Sequence, residues 1–240
     1  MPRISAERPD ESGHYEPSQA PLEIREAPLS DSVLHRVDHL VYATRDLPAT
    51  VADMERRLGV AARPGGRHLG RGTHNALIAL GPASYLEMIG PDPAQAPSDA
   101  PRWFGIDELT GPRLVTWAAK ATDLERFAAK AARRGVQLGP VGSGSRQRPD
   151  GVTLAWQFTD PTTVVADGLV PFFIDWGASP HPAETAAPGL VLAGLRAEHP
   201  DPQRVREALS VVGVELPIAP GPRPALVGTL RGPLGETELR

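Results

Sequence analysis

The hydrophobic pattern of the chain repeats three times. In each repeat, an apolar segment is followed by an aspartate, an amphipathic stretch and a Gly-Val pair. The aspartates are Asp46, Asp123 and Asp201, which are 77 and then 78 residues apart. Spacing this regular is typical of duplicated structural units.

The amphipathic stretches predict one helix in each unit. The aspartate is a candidate N-cap, because its carboxylate accepts the free N–H groups of the first helical turn. In the first unit, Gly59 follows the stretch as a C-terminal stop. The apolar stripe of this helix, at helical spacing, comprises Leu47, Val51, Met54 and Leu58. Helices with one apolar face are expected to cover a sheet.

Short apolar segments predict strands around these helices. The predicted strands are 37–42, 75–80 and 85–89 in the first unit, 114–119, 152–158 and 172–176 in the second, and 190–192, 225–230 and a short end near Glu238 in the third. The stretches 91–101 and 140–149 are rich in Pro, Gly and Ser and are expected to be loops. The fold class is therefore α+β, with two βαβββ modules and an abbreviated third module.

The predicted domain organisation is a tail followed by one repeated domain. Residues 1–32 contain five prolines and few apolar residues, which favours a disordered leader, with a docking peptide as the alternative. The domain spans 33–240 and consists of modules 33–110, 111–182 and a partial module 188–240.

Composition and charge exclude several classes of function. The chain of 240 residues has a net charge of −4, and six acidic residues against three arginines place most of it in the first thirty residues. The nearly neutral body argues against nucleic acid as a partner. The absence of cysteine excludes disulfides, thiolate metal sites and a cysteine nucleophile. The sequence has no long apolar run, so no membrane-spanning helix is expected. The absence of targeting signals favours a cytoplasmic location.

Two polar residues stand inside apolar strands. His39 shares one strand face with Val37 and Val41, because alternate residues of a strand point the same way. Glu87 lies between Leu86 and Met88, and a buried carboxylate is costly unless a cation, a hydrogen-bond network or a proton compensates it. Buried charge of this kind often marks a functional site.

Further candidates lie near these strands. His74 and Asn75 are adjacent on one strand, so only one of them shares a face with Glu87. Arg146 and Arg148 lie in the predicted loop 140–149, where two guanidinium groups suit a carboxylate or phosphate, although a solvated loop is the alternative. Nucleophile-elbow, P-loop and dinucleotide-binding fingerprints are absent from the sequence.

The repeat and its local motifs resemble the vicinal oxygen chelate superfamily, and within it the glyoxalase-like domain. The segments that carry the resemblance are 37–41 (VDHLV), 72–77 (GTHNAL), 85–91 (YLEMIGP), 145–151 (SRQRPDG) and 172–176 (FFIDW). The superfamily includes glyoxalase I, extradiol dioxygenases, and fosfomycin-resistance and bleomycin-binding proteins. The resemblance covers residues 33–240.

This resemblance implies paired modules whose sheets curve into a half-open cup that holds one divalent metal ion. His39 and Glu87 match ligand positions of the family, and His74 is the third candidate ligand for Fe, Zn, Mn, Co or Ni. In the second module, alignment of the repeats places Thr116 opposite His39 and Ile174 opposite Glu87. Neither residue suits a metal, so either a dimer partner completes the site or the pocket has lost its metal.

The leading hypothesis is a divalent-metal-dependent lyase, isomerase or dioxygenase acting on a small oxygenated organic molecule. In it, the metal polarises a substrate oxygen, Arg146 or Arg148 positions an anionic group, and Glu87 is a base if it does not ligate. The alternative is a metal-free protein that sequesters a small molecule. Candidate substrate contacts are Asn75, Trp103, Phe104, Trp117 and Trp156. A structural protein that pairs through the open strand edge of its third module is a further alternative, and a homodimer is left open.

Overall fold

The computed structural model describes residues 31–95, 101–148 and 151–240. Apart from its last two residues, the predicted tail 1–32 lies outside this part of the chain. The helices are α1 (Asp31–Arg36), α2 (Leu47–Leu58), α3 (Leu124–Arg133) and α4 (Pro202–Val211). The strands are β1 (Val37–Ala43), β2 (Arg63–His68), β3 (Thr73–Gly81), β4 (Ser84–Pro91), β5 (Arg113–Lys120), β6 (Val141–Gln147), β7 (Thr153–Thr159), β8 (Phe172–Asp175), β9 (Val191–His199), β10 (Ile218–Pro220), β11 (Ala225–Gly232) and β12 (Gly235–Leu239). Across the described residues, no helix has the length and apolar character needed to cross a membrane.

The first eight strands form one sheet in the order β2-β3-β4-β1-β5-β8-β7-β6. The central strands β1 and β5 are antiparallel, and each has the last strand of its own unit as a parallel neighbour on its other side. The order outward from the centre is therefore the same in both halves. This arrangement confirms the two predicted βαβββ modules.

The eight-stranded sheet curves until its two end strands meet, which makes a nearly closed cup. The contact is direct, because the Arg146 guanidinium on β6 donates a hydrogen bond to the Gly65 carbonyl on β2. Helices α2 and α3 cover the convex face, where Leu40 and Trp117 pair across β1 and β5 in the main apolar core. The residues that alternate with these core residues along each strand point to the concave face.

The helix ends follow the predicted caps with one difference. Asp46 accepts a hydrogen bond from the Ala49 N–H at 3.0 Å, and Asp201 accepts one from the Arg204 N–H at 3.1 Å. Asp123 precedes α3 but makes no side-chain cap bond, since its backbone is left-handed with φ of 52°. Helix α2 ends as predicted at Gly59, whose φ of 74° suits glycine.

Two strands and part of the third unit differ from the sequence prediction. Strand β6 occupies most of the stretch expected to be a loop, and β2 was not predicted, because both are glycine-rich end strands with weak strand preference. The third unit contains α4 and its own four-stranded sheet in the order β10-β9-β11-β12. It is therefore more complete than the predicted fragment, and its strand order differs from that of the first module.

Candidate active site in the cup

The register of β1 and β4 brings His39 and Glu87 together on the concave face. The strands are parallel, with His39 opposite Tyr85 and Val41 opposite Glu87, so all four side chains share one face. The Nε2 atom of His39 lies 3.7 Å from Oε2 of Glu87. The stacked ring of Tyr85, with centroids 4.7 Å apart, fixes the plane of the imidazole.

A bulge in β1 adds Asp38 to the same group. The pairing of β1 with β5 shifts register between Val37 and His39, which releases Asp38 from the usual alternation. Its Oδ1 lies 2.8 Å from Nδ1 of His39, and its Oδ2 lies 3.1 Å from both Trp176 Nε1 and His181 Nε2. Asp38 is thus a fully buried carboxylate held by three ring nitrogens.

These contacts determine the charge of Asp38 and the tautomer of His39. Burial raises the pKa of Asp38, but hydrogen bonds and charge from His181 and His39 outweigh it and hold the pKa at about 2. An ionised carboxylate only accepts hydrogen bonds, so Nδ1 of His39 carries a hydrogen. In the neutral ring, the Nε2 atom then presents a lone pair toward Glu87 and the cavity.

Glu87 is 6% exposed and is surrounded by polar groups of the first module. The Asn75 amide donates to its Oε1 at 2.5 Å, and His68 Nε2 lies 3.9 Å from the same oxygen. Within the described residues, neither lysine nor arginine forms an ion pair with this carboxylate. The polar neighbours of Glu87 among the described residues are therefore an amide and the imidazoles of His39 and His68.

His68 is a site residue that sequence reasoning missed, because β2 was not predicted. Its Nδ1 lies 3.0 Å from Thr73 Oγ1, and its Nε2 lies 3.5 Å from Asn75 Nδ2. Burial lowers the pKa of His68, and the positive charges of Arg146 and nearby histidines lower it further, while Glu87 opposes them. His68 is therefore held toward its neutral form.

Aromatic and apolar side chains complete the cavity. The Phe172 ring meets His39 edge-on with centroids 5.5 Å apart, and Trp103 lies 5.4 Å from the His68 ring. The cavity has a volume of about 50 Å³. Besides His39, His68, Glu87 and Arg146, its lining residues are Trp103, Phe104, Trp156, Phe158, Pro161, Phe172, Ile174 and Trp176.

Arg146 supplies the positive charge of the cavity wall. It projects from β6, is 8% exposed, and hydrogen bonds to the Gly65 carbonyl across the seam between the end strands. Burial lowers the pKa of its guanidinium, and Tyr85 and Glu87 act in the opposite direction. The sequence analysis placed Arg146 in a flexible loop, whereas a strand holds it in place.

Three predicted site residues lie elsewhere. His74 is adjacent to Asn75 on β3 and so lies on the opposite face of the strand, away from Glu87. Trp117 is fully buried in the core of the convex face, where its indole donates to the Leu169 carbonyl. Arg148 lines a separate pocket outside the cup. Phe158, Phe172, Trp176 and His181 are the aromatic side chains that the sequence reading left out of the site.

Comparison with known families agrees with this architecture. A family model described as a glyoxalase-like domain matches residues 37–213. The chain belongs to the glyoxalase-like domain family. This match confirms the resemblance to the vicinal oxygen chelate superfamily that the sequence motifs predict.

Several solved structures are similar to this chain at low sequence identity. A hypothetical protein from Staphylococcus aureus is 15% identical, covers 81% of this chain and 80% of its own, and has a TM-score of 0.56. Methylmalonyl-CoA epimerase from Streptomyces coelicolor, in complex with 2-nitronate-propionyl-CoA, is 22% identical over 61% of this chain and 97% of its own, with a TM-score of 0.42. The Mycobacterium tuberculosis epimerase is 20% identical over 65% and 97%, with a TM-score of 0.40. No curated protein matches this sequence significantly.

The second module of this glyoxalase-like domain offers no counterpart to the polar pair. The two modules are offset by 77 residues, so Ala118 in the second module corresponds to Val41 in the first. Val41 pairs with Glu87, whereas Ala118 pairs with Phe172. Phe172 is therefore the counterpart of Glu87, in place of the Ile174 that sequence alignment suggested. Thr116 takes the position of His39, and its hydroxyl donates to the Gly168 carbonyl.

The residues present do not fit the metal ion that the family resemblance implies. Among the residues the structure describes, no group of three or more histidine or acidic side chains is arranged to hold a metal ion. The second module adds no ligand to His39 and Glu87, since Thr116 and Phe172 occupy the matching positions. The predicted ligand set His39, His74 and Glu87 is also divided between the two faces of the sheet.

Proposed function

We propose that this protein is an enzyme that moves a proton on a small, flat, anionic carbonyl compound bound in the cup. The observation that carries the proposal is the Asp38–His39–Glu87 array, in which the lone pair of His39 Nε2 faces a cavity with a buried guanidinium. The proposed reaction class is isomerisation or epimerisation next to a carbonyl group. It uses side chains of this chain and does not involve a metal ion.

His39 is the proposed base. Its Nε2 removes a proton from the carbon next to the substrate carbonyl, and the electron pair of the C–H bond moves toward the carbonyl oxygen to form an enolate. The imidazolium that results is stabilised by Asp38, whose carboxylate remains ionised throughout. Return of the proton to a different atom on the same side of the enolate gives an isomer, whereas an epimer requires a proton donor on the opposite face of the carbon.

Glu87 is the proposed second group in the proton transfer. Its Oε2 lies 3.7 Å from His39 Nε2, so the carboxylate stabilises the imidazolium and is close enough to relay its proton after a small movement. The Asn75 amide at 2.5 Å keeps Glu87 oriented toward His39. Two proton-accepting groups side by side in a buried cavity suit a reaction that removes a proton and later returns it.

Arg146 and the aromatic side chains define the substrate class. A buried guanidinium binds a carboxylate or an enolate more strongly than an exposed one does, because little water competes. The aromatic side chains of the cavity wall favour a flat molecule, which can pack against their rings. A cavity of about 50 Å³ holds little more than a few water molecules, so substrate entry requires movement of the lip formed by Trp103 and Phe104.

The lip has a feature consistent with such movement. Phe104 has a φ of 63° and is followed by Gly105 with a φ of 61°. A left-handed conformation in a bulky residue costs about 1 kcal/mol or more, so the closed lip is conformationally strained. A substrate ring that replaces the contacts of Phe104 allows this segment to relax.

The second candidate function is a small-molecule-binding protein without chemistry. It is favoured by the aromatic walls and by the replacement of polar residues in the second module with Thr116 and Phe172. In that case, His39 and Glu87 hold polar groups of the ligand. The two candidates differ in whether substitution of His39 abolishes turnover or only changes affinity.

The test is proton exchange with solvent D₂O, followed by NMR on a panel of small 2-oxo and 3-oxo acids in the presence of a chelator. Wild-type protein is expected to exchange the proton next to the carbonyl of at least one compound. His39→Asn and Glu87→Gln are expected to lower that rate by about 10² to 10⁴-fold, and the matched control His74→Asn to leave it unchanged. Exchange that is absent for every compound, or that survives His39→Asn, contradicts the proposal. Binding without exchange supports the second candidate.

A further inference from the structure

A second pocket lies outside the cup, along the seam where β2 and β6 meet. It has a volume of about 330 Å³. Among the described residues that line it, three are arginines and none is acidic. The lining residues are Arg63, Pro64, Gly65, Leu77, Arg146, Arg148, Thr185 and Ala186.

The partners of two of these arginines are neutral. Arg63 donates to the Thr185 carbonyl at 3.3 Å, and Arg146 donates to the Gly65 carbonyl. In the part of the chain that the structure describes, neither of the two forms an ion pair with a carboxylate. The two guanidinium groups are therefore held in place by backbone carbonyls, and these contacts do not neutralise their positive charges.

The three guanidinium groups come from two parts of the chain. Arg63 begins β2, Arg146 lies near the end of β6, and Arg148 follows that strand. The hydrogen bond between Arg146 and Gly65 holds the two strands together at this point. Arg146 is more than nine-tenths buried, so its charge is poorly screened by water.

We propose that Arg63, Arg146 and Arg148 form a binding site for a phosphate group that carries two negative charges. Guanidinium groups present paired N–H donors that match the spacing of phosphate oxygens, and three cations lining one pocket suit a dianion better than a monoanionic carboxylate. Leu77, Pro64 and Ala186 add apolar surface beside the charges, which suits a phosphate monoester of an organic molecule. This inference goes beyond the proposed function and does not depend on it.

The site is tested with inorganic phosphate by isothermal titration calorimetry at pH 8, where a phosphate group carries two charges. Arg63→Gln and Arg148→Gln remove donors without altering the cup, and each is expected to weaken phosphate binding about tenfold. Arg126→Gln is the matched control, because it removes an exposed arginine from α3 and leaves the pocket unchanged. It is expected to leave the dissociation constant within about twofold.

Two results overturn the existence of the site, and a third overturns its assignment to a dianion. One is the absence of saturable binding at millimolar phosphate by wild-type protein whose circular dichroism shows a folded state. The other is equal weakening in Arg126→Gln and in the pocket variants, which indicates unspecific attraction. A monoanionic carboxylate such as acetate that binds as tightly as phosphate also contradicts the assignment to a dianion. Proton exchange in the cup is a separate measurement, so the failure of either proposal is recognised independently.

Discussion

Asp38 and His39 are neighbours in β1, yet their side chains lie on the same side of the sheet and meet at 2.8 Å between Oδ1 and Nδ1. Regular strand geometry would send them to opposite faces. The register shift against β5 removes this constraint at Asp38 and allows Trp176 and His181 to reach the same carboxylate. The tautomer of His39, and with it the proposed base, depends on this bulge.

Substitution of Asp38 is expected to change the acid stability of the protein. The pKa of Asp38 is about 2 in the folded state against 3.8 for an ordinary aspartate, so the ionised form stabilises the fold above pH 3.8. This contribution, about 2 kcal/mol, is lost as the pH falls through 2. The free energy of unfolding of wild-type protein should therefore fall more steeply between pH 4 and pH 2 than that of Asp38→Asn.

Urea unfolding at several pH values measures this difference, with Asp175→Asn as an aspartate control outside the three-ring cluster. Parallel pH dependences for wild type and Asp38→Asn would show that the ring nitrogens do not stabilise the carboxylate. Ring ¹⁵N shifts of His39 provide a second check. They should report a hydrogen on Nδ1 in the wild type and a mixture of tautomers in the variant.

His68 is expected to destabilise the fold at mildly acid pH. Burial and nearby positive charges lower its pKa below 6.5, so the unfolded chain binds a proton more readily than the folded protein does. Stability should therefore fall as the pH drops from 7 to 5, and His68→Gln should reduce that fall. Thermal unfolding at pH 7 and pH 5 measures this loss of stability. Equal losses in His68→Gln and in the wild type would contradict the lowered pKa of His68.

Gly65 should tolerate alanine poorly. A Cβ at this position would overlap Asn75 Oδ1 and lie 2.8 Å from Leu77 Cγ, so the amide that orients Glu87 would have to move. We expect Gly65→Ala to destabilise the protein by about 1 to 3 kcal/mol and to slow proton exchange in the cup. Gly111→Ala is the matched control, since nothing lies within 4 Å of its added Cβ. Equal stability of the two variants in urea would show that Asn75 is not restrained as described.

The metal content of the protein is expected to be well below one ion per chain after purification without chelator. The expectation follows from the lack of a metal-binding group of three or more histidine or acidic side chains among the described residues, and from Thr116 and Phe172 at the counterpart positions in the second module. Elemental analysis measures it before and after incubation with Fe(II), Zn, Mn, Co or Ni. A nearly stoichiometric ion that His39→Ala and Glu87→Ala both lose would reverse this conclusion and restore the metalloenzyme hypothesis.

Sequence reasoning identified the residues whose local surroundings are unusual. His39 and Glu87 are polar residues in apolar strands, which marked each of them as a candidate, and the family resemblance assigned both to one site. His68 was overlooked because β2 contains Pro64, Gly65 and Gly66 and so lacks the composition of a strand. Trp117 was assigned to the cup because aromatic character alone does not indicate which face of a sheet a residue occupies.

The sequence by itself determined the α+β class, the repeated modules and the pair His39 and Glu87, because these follow from hydrophobic periodicity over a few residues and from a regular spacing along the chain. Only the tertiary structure decided which groups complete the site. Trp176 and His181 are 138 and 143 residues from Asp38 along the chain, and the bulge that admits them depends on the pairing of β1 with β5. Contacts over such separations result from sheet register and curvature, which local patterns do not encode.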